Sequence, residues 1–359
     1  MDVSSARKLN YQNATPEYMV CQGITPGHDG FVLEPEARQR LVSKDPESAK
    51  VIFPYLIGRE LLAEDGGPTR YLINFAQMSV LDAQGFPAVF EHVRATVLAD
   101  MQQKADDEHA SESAHSDHLE RWWMHWRSRR ELMQRISKLP RYLVCSRVTK
   151  RPIFTFVENT IIPGDALQAF SFPDDYSFGI LQSNTHWQWF LTKCSKMKSD
   201  FRYTPESVFD TFPWPQFSTS GRRRGDETLT SSEKKKSESP DVVSYEDIKK
   251  IEAVAAAGRE VRRVRAEALP KMKGGLRALY RTLELPGANP LKDAHAALDT
   301  AVLNAYGFNA KRDLLAQLLA LNQQVAARIE KGEPVTAPGV PKDYPDPKKL
   351  VTEDCVRPS

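Results

Sequence analysis

Residues 217–243 read FSTSGRRRGDETLTSSEKKKSESPDVV, a stretch of Ser, Thr, Gly and charge with almost nothing apolar to bury. Such a composition cannot offset the entropy of ordering a chain, so it reads as a flexible charged linker, 217–243, carrying Arg222-Arg223-Arg224 and Lys234-Lys235-Lys236. What lies on either side is built differently. Before it, short β-type runs (Arg70 to Phe75, Tyr142 to Val148, Ile153 to Val157) mix with helical patterns. After it every strong signal is helical. Ser244 with Asp247 forms a capping box ahead of Ile248, Ile251, Ala255, Val261 and Val264. Leu276, Leu279, Tyr280 and Leu283 make a second stripe closed by Pro286-Gly287, and Leu291 to Tyr306 a third stopped by Gly307. Asn309 is expected to cap a fourth helix, with Leu314, Leu315, Leu318, Leu319 and Val325 inward. The expected architecture is an α+β domain over 1–216, a small all-α helical domain over 244–333, and a Pro-rich tail over 334–359.

The 359 residues are 41% hydrophobic and 27% charged with 18 Gly, which excludes collagen-like, wholly disordered and membrane-spanning classes. No apolar run is long enough to span a bilayer, and Arg7 and Lys8 are followed by polar residues instead of a secretory core, so a cytoplasmic protein without membrane partners is expected. Four cysteines (Cys21, Cys145, Cys194, Cys355) form no C-x-x-C pair and encode neither a disulfide framework nor a zinc finger. There is no Gly-rich nucleotide-binding turn, Walker loop, G-x-S-x-G elbow or H-E-x-x-H, hence no catalytic or metal site to assign. His109, His115 and His118 lie in or beside an acidic run and are expected to be solvated polar residues. Asp174-Asp175, inside Phe172-Pro173-Asp174-Asp175-Tyr176, is expected to be a turn.

The net charge of +2 conceals two opposed blocks. Asp100 to Glu120 has seven acidic residues against Lys104, a balance of −6, and Arg121 to Arg151 has ten basic residues against Glu131, a balance of +9. A phosphate backbone responds to the local patch and not to the total. Leu119, Trp122, Trp123, Trp126, Leu132, Met133 and Ile136 recur at helical spacing up to Pro140, and this expected helix would pack its apolar face while offering Arg127 and Arg130 to solvent. Beyond it, Tyr142 to Val148 alternates as a strand, and Arg147, Lys150 and Arg151 fall at its end, where they suit phosphate contacts. A solvated basic face is the alternative. A further helix is expected from Gln182 to Asp200, opened by Ser183, with Lys193, Lys196, Lys198, Asp200 and Arg202 crowded at its end. A Lys donor suits guanine O6 and N7 and an Asp acceptor suits cytosine N4, so Lys198 and Asp200 could read one G·C pair; the spacing alone favours an intraloop salt bridge.

Three segments in order carry a resemblance: Arg141-Tyr142-Leu143-Val144-Cys145-Ser146-Arg147-Val148, then Tyr176-Ser177-Phe178-Gly179-Ile180-Leu181-Gln182-Ser183 with His186-Trp187, then Arg202-Tyr203-Thr204 leading to Thr211-Phe212-Pro213-Trp214-Pro215. Together they resemble the target-recognition region of MmeI-like type II restriction-modification enzymes and related class I adenine-specific DNA methyltransferases. Asn289-Pro290-Leu291-Lys292-Asp293-Ala294-His295 and Ala305-Tyr306-Gly307-Phe308 resemble their helical C-terminal region. The resemblance implies double-stranded DNA as partner. It also implies base reading by Lys198, Asp200 and Arg202, and backbone contacts from Arg127, Arg130, Arg147, Lys150, Arg151 and Lys196. Tyr176, Trp187 and Trp214 are read as core. Such enzymes carry upstream a Rossmann-like domain that binds S-adenosylmethionine and an Asn/Asp-Pro-Pro-Tyr/Phe motif that holds a flipped adenine. Neither is in this sequence, and Asn289-Pro290-Leu291 lacks the second Pro and the aromatic. The expectation is a DNA-reading part that binds no cofactor and works with a catalytic methyltransferase half outside this chain. A non-catalytic DNA-binding or interaction module left from a truncated gene is the alternative.

Overall fold

A computed structural model describes residues 2–11, 18–63, 66–107, 118–197, 200–217, 219–220 and 242–358. Two small four-stranded sheets form its first part. The elements there are β1 (Val20–Gln22), β2 (Val32–Leu33), α1 (Pro35–Lys44), β3 (Ile52–Leu56), α2 (Gly58–Leu61), β4 (Arg70–Ile73), α3 (Val80–Gln84), α4 (Pro87–Val93), α5 (Ala99–Asp107) and α6 (Arg130–Ile136). They are followed by β5 (Arg141–Ser146), β6 (Thr155–Glu158), β7 (Ile162–Pro163) and β8 (Leu167–Phe170). One sheet runs β1-β8-β5-β6, antiparallel throughout; the other runs β2-β4-β3-β7, with only β3 and β7 parallel.

Strand β5 shows why the alternation in the sequence was informative. Tyr142 and Val144 pack on Leu132 and Ile136 of α6, whereas Leu143 and Cys145 face Phe154, Phe156 and Phe170 on the other side. A central strand buried on both faces needs apolar residues at both parities.

The remaining elements are α7 (Asp175–Gln182), α8 (Asn184–Lys193), a hairpin of β9 (Ser195–Met197) and β10 (Asp200–Arg202), a ribbon of β11 (Thr219–Ser220) with β12 (Val242–Val243), and α9 (Tyr245–Ala268), α10 (Gly275–Arg281), α11 (Pro290–Tyr306) and α12 (Leu314–Glu330). This is an α+β part followed by a helical one. A single hydrophobic core joins them: Phe178, Trp189, Tyr203 and Trp214 share it with Val254, Leu298 and Leu318. Helices α7 and α9 approach closely because each presents a glycine. A Cβ on Gly179 would lie 2.6 Å from a Val254 methyl, and one on Gly258 3.1 Å from the Asp175 carbonyl. The 334–359 segment also packs down, with Tyr344 and Leu350 buried and Val356 pairing beside Val157. The linker's ends meet in the β11–β12 ribbon, and residues 221–241 lie outside the described residues.

Four local expectations are corrected. The helix expected from Leu119 to Ile136 is broken: Leu119 ends one helical segment and Arg130–Ile136 forms another. Before it the chain turns, because the Arg127 and Thr25 backbones exchange hydrogen bonds (3.1 and 3.2 Å) and Arg129 adopts a left-handed φ of 48°. Trp122 and Trp123 still reach the core of the second sheet, so burial and not helix geometry explains their spacing. The helix expected from Gln182 to Asp200 ends at Lys193, since Ser195 to Arg202 folds back as the hairpin. Asn309 does not cap α12; Asp313 does, accepting the Ala316 N–H at 2.7 Å. His118 is buried and stacks on Trp126, while His109 and His115 lie outside the described residues.

Candidate nucleic-acid interface

The end of β5 organises a basic open surface. After Ser146 the strand continues irregularly: the Arg147 carbonyl accepts the Tyr203 N–H at 2.8 Å, Val148 bridges Arg202, and the Phe201 carbonyl accepts the Thr149 N–H at 2.9 Å. The β9–β10 hairpin is thereby stitched to the sheet edge, and Val148, 44% exposed, stands between Arg147 and Arg202. The conversion of an expected helix end into a hairpin brings Arg202 back beside Arg147.

A groove of about 400 Å³ opens there, lined by Gly58, Arg59, Ser146, Arg147, Val148, Asp165, Ala166, Arg202 and Arg277. A second, of about 280 Å³, is lined by Gln22, Thr25, Gly27, Trp126, Arg127, Arg147 and Asp165. Arg147 and Asp165 belong to both, so the two form one cleft. Its five arginines come from α2, α10, the Thr25–Arg127 turn, the β5 extension and β10. None of the five forms an ion pair among the described residues. The cleft's polar floor is held by the Asp165 carbonyl, which accepts from Gln22 Nε2 at 3.0 Å and from Arg147 Nη1 at 3.4 Å. An open cleft with unpaired guanidinium groups and one carboxylate is suited to a polyanion.

Of the residues singled out in the sequence, Arg127, Arg147 and Arg202 converge on this cleft. Arg130 is exposed at the start of α6, and Lys150 is exposed on the turn after Val148, but neither lines it. Arg151 turns inward: its guanidinium lies over the rings of Trp187 (4.3 Å) and Tyr280 (5.4 Å). Trp187 is accordingly half-buried, whereas Tyr176 and Trp214 are fully buried. In the hairpin register Lys196 pairs with Phe201 and Asp200 with Met197; Lys198 lies outside the described residues. Arg59 and Arg277 were missed. Arg59 sits in a short helix without periodicity, and Arg277 reaches the cleft only through the docking of a distant helix.

Asp175, expected in a turn, is wholly buried at the start of α7, while Asp174 caps that helix through the Ser177 N–H at 2.7 Å. Asp175 accepts from Arg141 Nη2 (2.7 Å), Arg262 Nη2 (2.7 Å), Arg259 Nη1 (3.0 Å) and Thr352 Oγ1 (3.1 Å). Asp354 answers the excess charge, accepting from Arg262 Nε at 2.6 Å and Arg141 Nη1 at 3.0 Å. Arg141 also lies 3.6 Å over the Phe156 ring. This knot ties sheet, α7, α9 and the C-terminal segment together, and its guanidinium groups are paired with Asp175 and Asp354, with only Arg262 Nη1 among its buried nitrogens left without a hydrogen bond among the described residues.

Asn289 is likewise committed. Its carbonyl oxygen accepts the Leu291 and Lys292 N–H groups at 3.0 and 3.3 Å, and its amide donates to Thr282. It is a helix cap and does not fit the role of an adenine-holding asparagine. Among the described residues no cluster of His, Cys, Asp or Glu could hold a metal ion, and no helix is long and apolar enough to cross a membrane.

No curated protein matches the chain by sequence. Sixteen solved chains resemble its structure. One is the type IIL restriction-modification enzyme MmeI, solved in complex with DNA, with a TM-score of 0.61 and 19% identity. The match covers 86% of this chain and 35% of that one, so this chain spans about a third of its length. At that identity the likeness establishes the fold. The sequence family described as the MmeI target recognition domain matches residues 18–216, more than half of the chain and the whole of the two-sheet part that forms most of the cleft; the protein belongs to that family.

Proposed function

We propose that this chain recognises a short double-stranded DNA sequence as part of a restriction-modification system. In this reading it serves an adenine-N6 DNA methyltransferase whose catalytic, S-adenosylmethionine-binding half lies outside these residues. The observation that carries the reading is the cleft with five arginines that form no ion pair among the described residues, formed largely within a target-recognition family domain. Arg127, Arg147 and Arg202 supply salt-dependent affinity for the phosphate backbone, with Arg130, Lys150 and Lys196 adding to the surrounding field. Arg151 contributes through packing, because its charge is spent on two rings. Base reading falls to Lys198 and Asp200, which flank Ser199 in the sequence two residues before Arg202, since a Lys donor and an Asp acceptor match the two sides of a G·C pair. Adenine flipping and methyl transfer belong to the partner half, and no step of that chemistry is assigned to residues here.

Selection of bound duplexes from a randomised pool tests base reading. Exchanging the charges of Lys198 and Asp200 is expected to change the preferred base at one position and to leave total affinity within a few-fold. Retention of the same site, or equal loss of binding to every sequence, would refute readout by this pair.

A further inference from the structure

The helical part does more than brace the two-sheet part. We infer that Arg277 of α10, with Arg59 of α2, forms the second wall of the cleft and contacts the sugar-phosphate backbone of the same DNA that Arg147 and Arg202 contact. This rests on the reading of the cleft as a DNA site.

Three observations carry it. First, Arg59 and Arg277 line the groove that Arg147 and Arg202 line, although they come from elements far apart in the chain. Both are exposed, and neither has an ion-pair partner among the described residues. In the helical part Arg263 is paired with Glu260 and Glu267, and Arg259 and Arg262 with Asp175, whereas Arg281 and Arg312 are as unpaired as Arg277 among the described residues but line neither groove. Second, the position of Arg277 is enforced. Helix α10 begins at Gly275, whose φ is +65° and on which a Cβ would sit 2.1 Å from the Ala63 carbonyl oxygen and 2.6 Å from that of Leu62. Only a glycine permits the helix to abut the end of α2, and that abutment sets Arg277 facing the groove beside Arg59. Third, three of the nine residues that line this groove are small, Gly58, Ser146 and Ala166. A Cβ on Gly58 would lie 3.1 Å from the Ala166 carbonyl oxygen, a tight contact. Arginines from both parts of the chain around one open groove fit an extended polyanion, with affinity but no sequence preference from these contacts.

The test is a salt titration of binding by the full chain to a mixed-sequence duplex. It compares wild type with Arg277→Ala, Arg59→Ala, Arg147→Ala and, as a control, Arg312→Ala, an exposed arginine of the helical part that lines neither groove. Each lost phosphate contact lowers the slope of log affinity against log salt by about 0.9. Arg277→Ala and Arg59→Ala are each expected to lower the slope by that amount and to weaken binding equally for all sequences, with Arg312→Ala unchanged. Gly275→Ala, with its fold checked by circular dichroism, is expected to mimic Arg277→Ala. If Arg277→Ala and Arg59→Ala match Arg312→Ala while Arg147→Ala lowers the slope, the second wall is refuted and the DNA reading of the cleft stands. If Arg147→Ala is also without effect, both fall.

Discussion

Arg141 and Arg147 stand at the two ends of one strand and do opposite things. Arg141 is 1% exposed, held by Asp175, Asp354, Thr352 and the Pro173 carbonyl, with its guanidinium flat on Phe156. Arg147 is half-exposed, has no ion-pair partner among the described residues, and faces an open cleft with four other arginines. The guanidinium groups of the first cluster are paired with carboxylates; those of the second form no ion pair among the described residues and have spare binding capacity. Both belong to the same basic run, Arg121 to Arg151. The contrast teaches that a basic stretch divides between architecture and binding according to where carboxylates arrive from elsewhere in the fold.

The sharpest way to break the comparison is at its buried end. Asp175→Asn leaves three guanidinium groups facing one neutral amide, and removing one partner of a buried ion pair costs about 3–5 kcal/mol. Denaturant unfolding is expected to register that loss, whereas the salt dependence of DNA binding by the folded protein should keep its wild-type slope. A changed slope with unchanged stability would merge the two clusters into one. At the open end, the double change Arg147→Ala with Arg202→Ala is expected to leave stability within about 0.5 kcal/mol, as for partly exposed residues that form no ion pair among the described residues. The same variant should reduce the slope of log affinity against log salt by about 1.8.

The smallest effect is in the pH response of the knot. Burial alone would raise the Asp354 carboxyl, but the hydrogen bond and charge of Arg262, the Thr352 hydroxyl and the charge of Arg141 bring it down from an ordinary value of 3.8 to about 2. A folded value below the unfolded one contributes stability that is present above pH 3.8 and is lost as the pH falls through about 2. The stability difference between wild type and Asp354→Asn should therefore be constant at neutral pH and shrink across that acid window. A difference that persists below it would mean that Asp354 acts by packing and not by charge.

Much of the fold was legible locally. The alternation in Tyr142 to Val144, the Ser244 cap and the stripes of the later helices announced themselves because each is written in consecutive residues whose period matches the element. Trp122, Trp123 and Trp126 misled for the same reason. Apolar spacing reports that residues are buried, and a turn pressed on a sheet buries them as well as a helix does. Likewise Lys193 to Arg202 looked like a helix end because nothing in its composition reveals that Val148 will pair with Arg202.

The cleft was half legible. Arg127, Arg147 and Arg202 were found because they lie in dense basic runs. Arg151, in the same run, was lost to Trp187 and Tyr280. Arg59 and Arg277 could not be found because their membership in the cleft depends on Gly275 docking against Leu62 and Ala63. By itself the sequence determined the class of β5 and of the later helices, the order of an α+β part and a helical part, and the excess of basic charge after Arg121. Only the tertiary structure decided which arginines that charge leaves free. Propensity and periodicity act between near neighbours, whereas the neutralisation of a guanidinium depends on a carboxylate or a ring brought to it from anywhere in the chain.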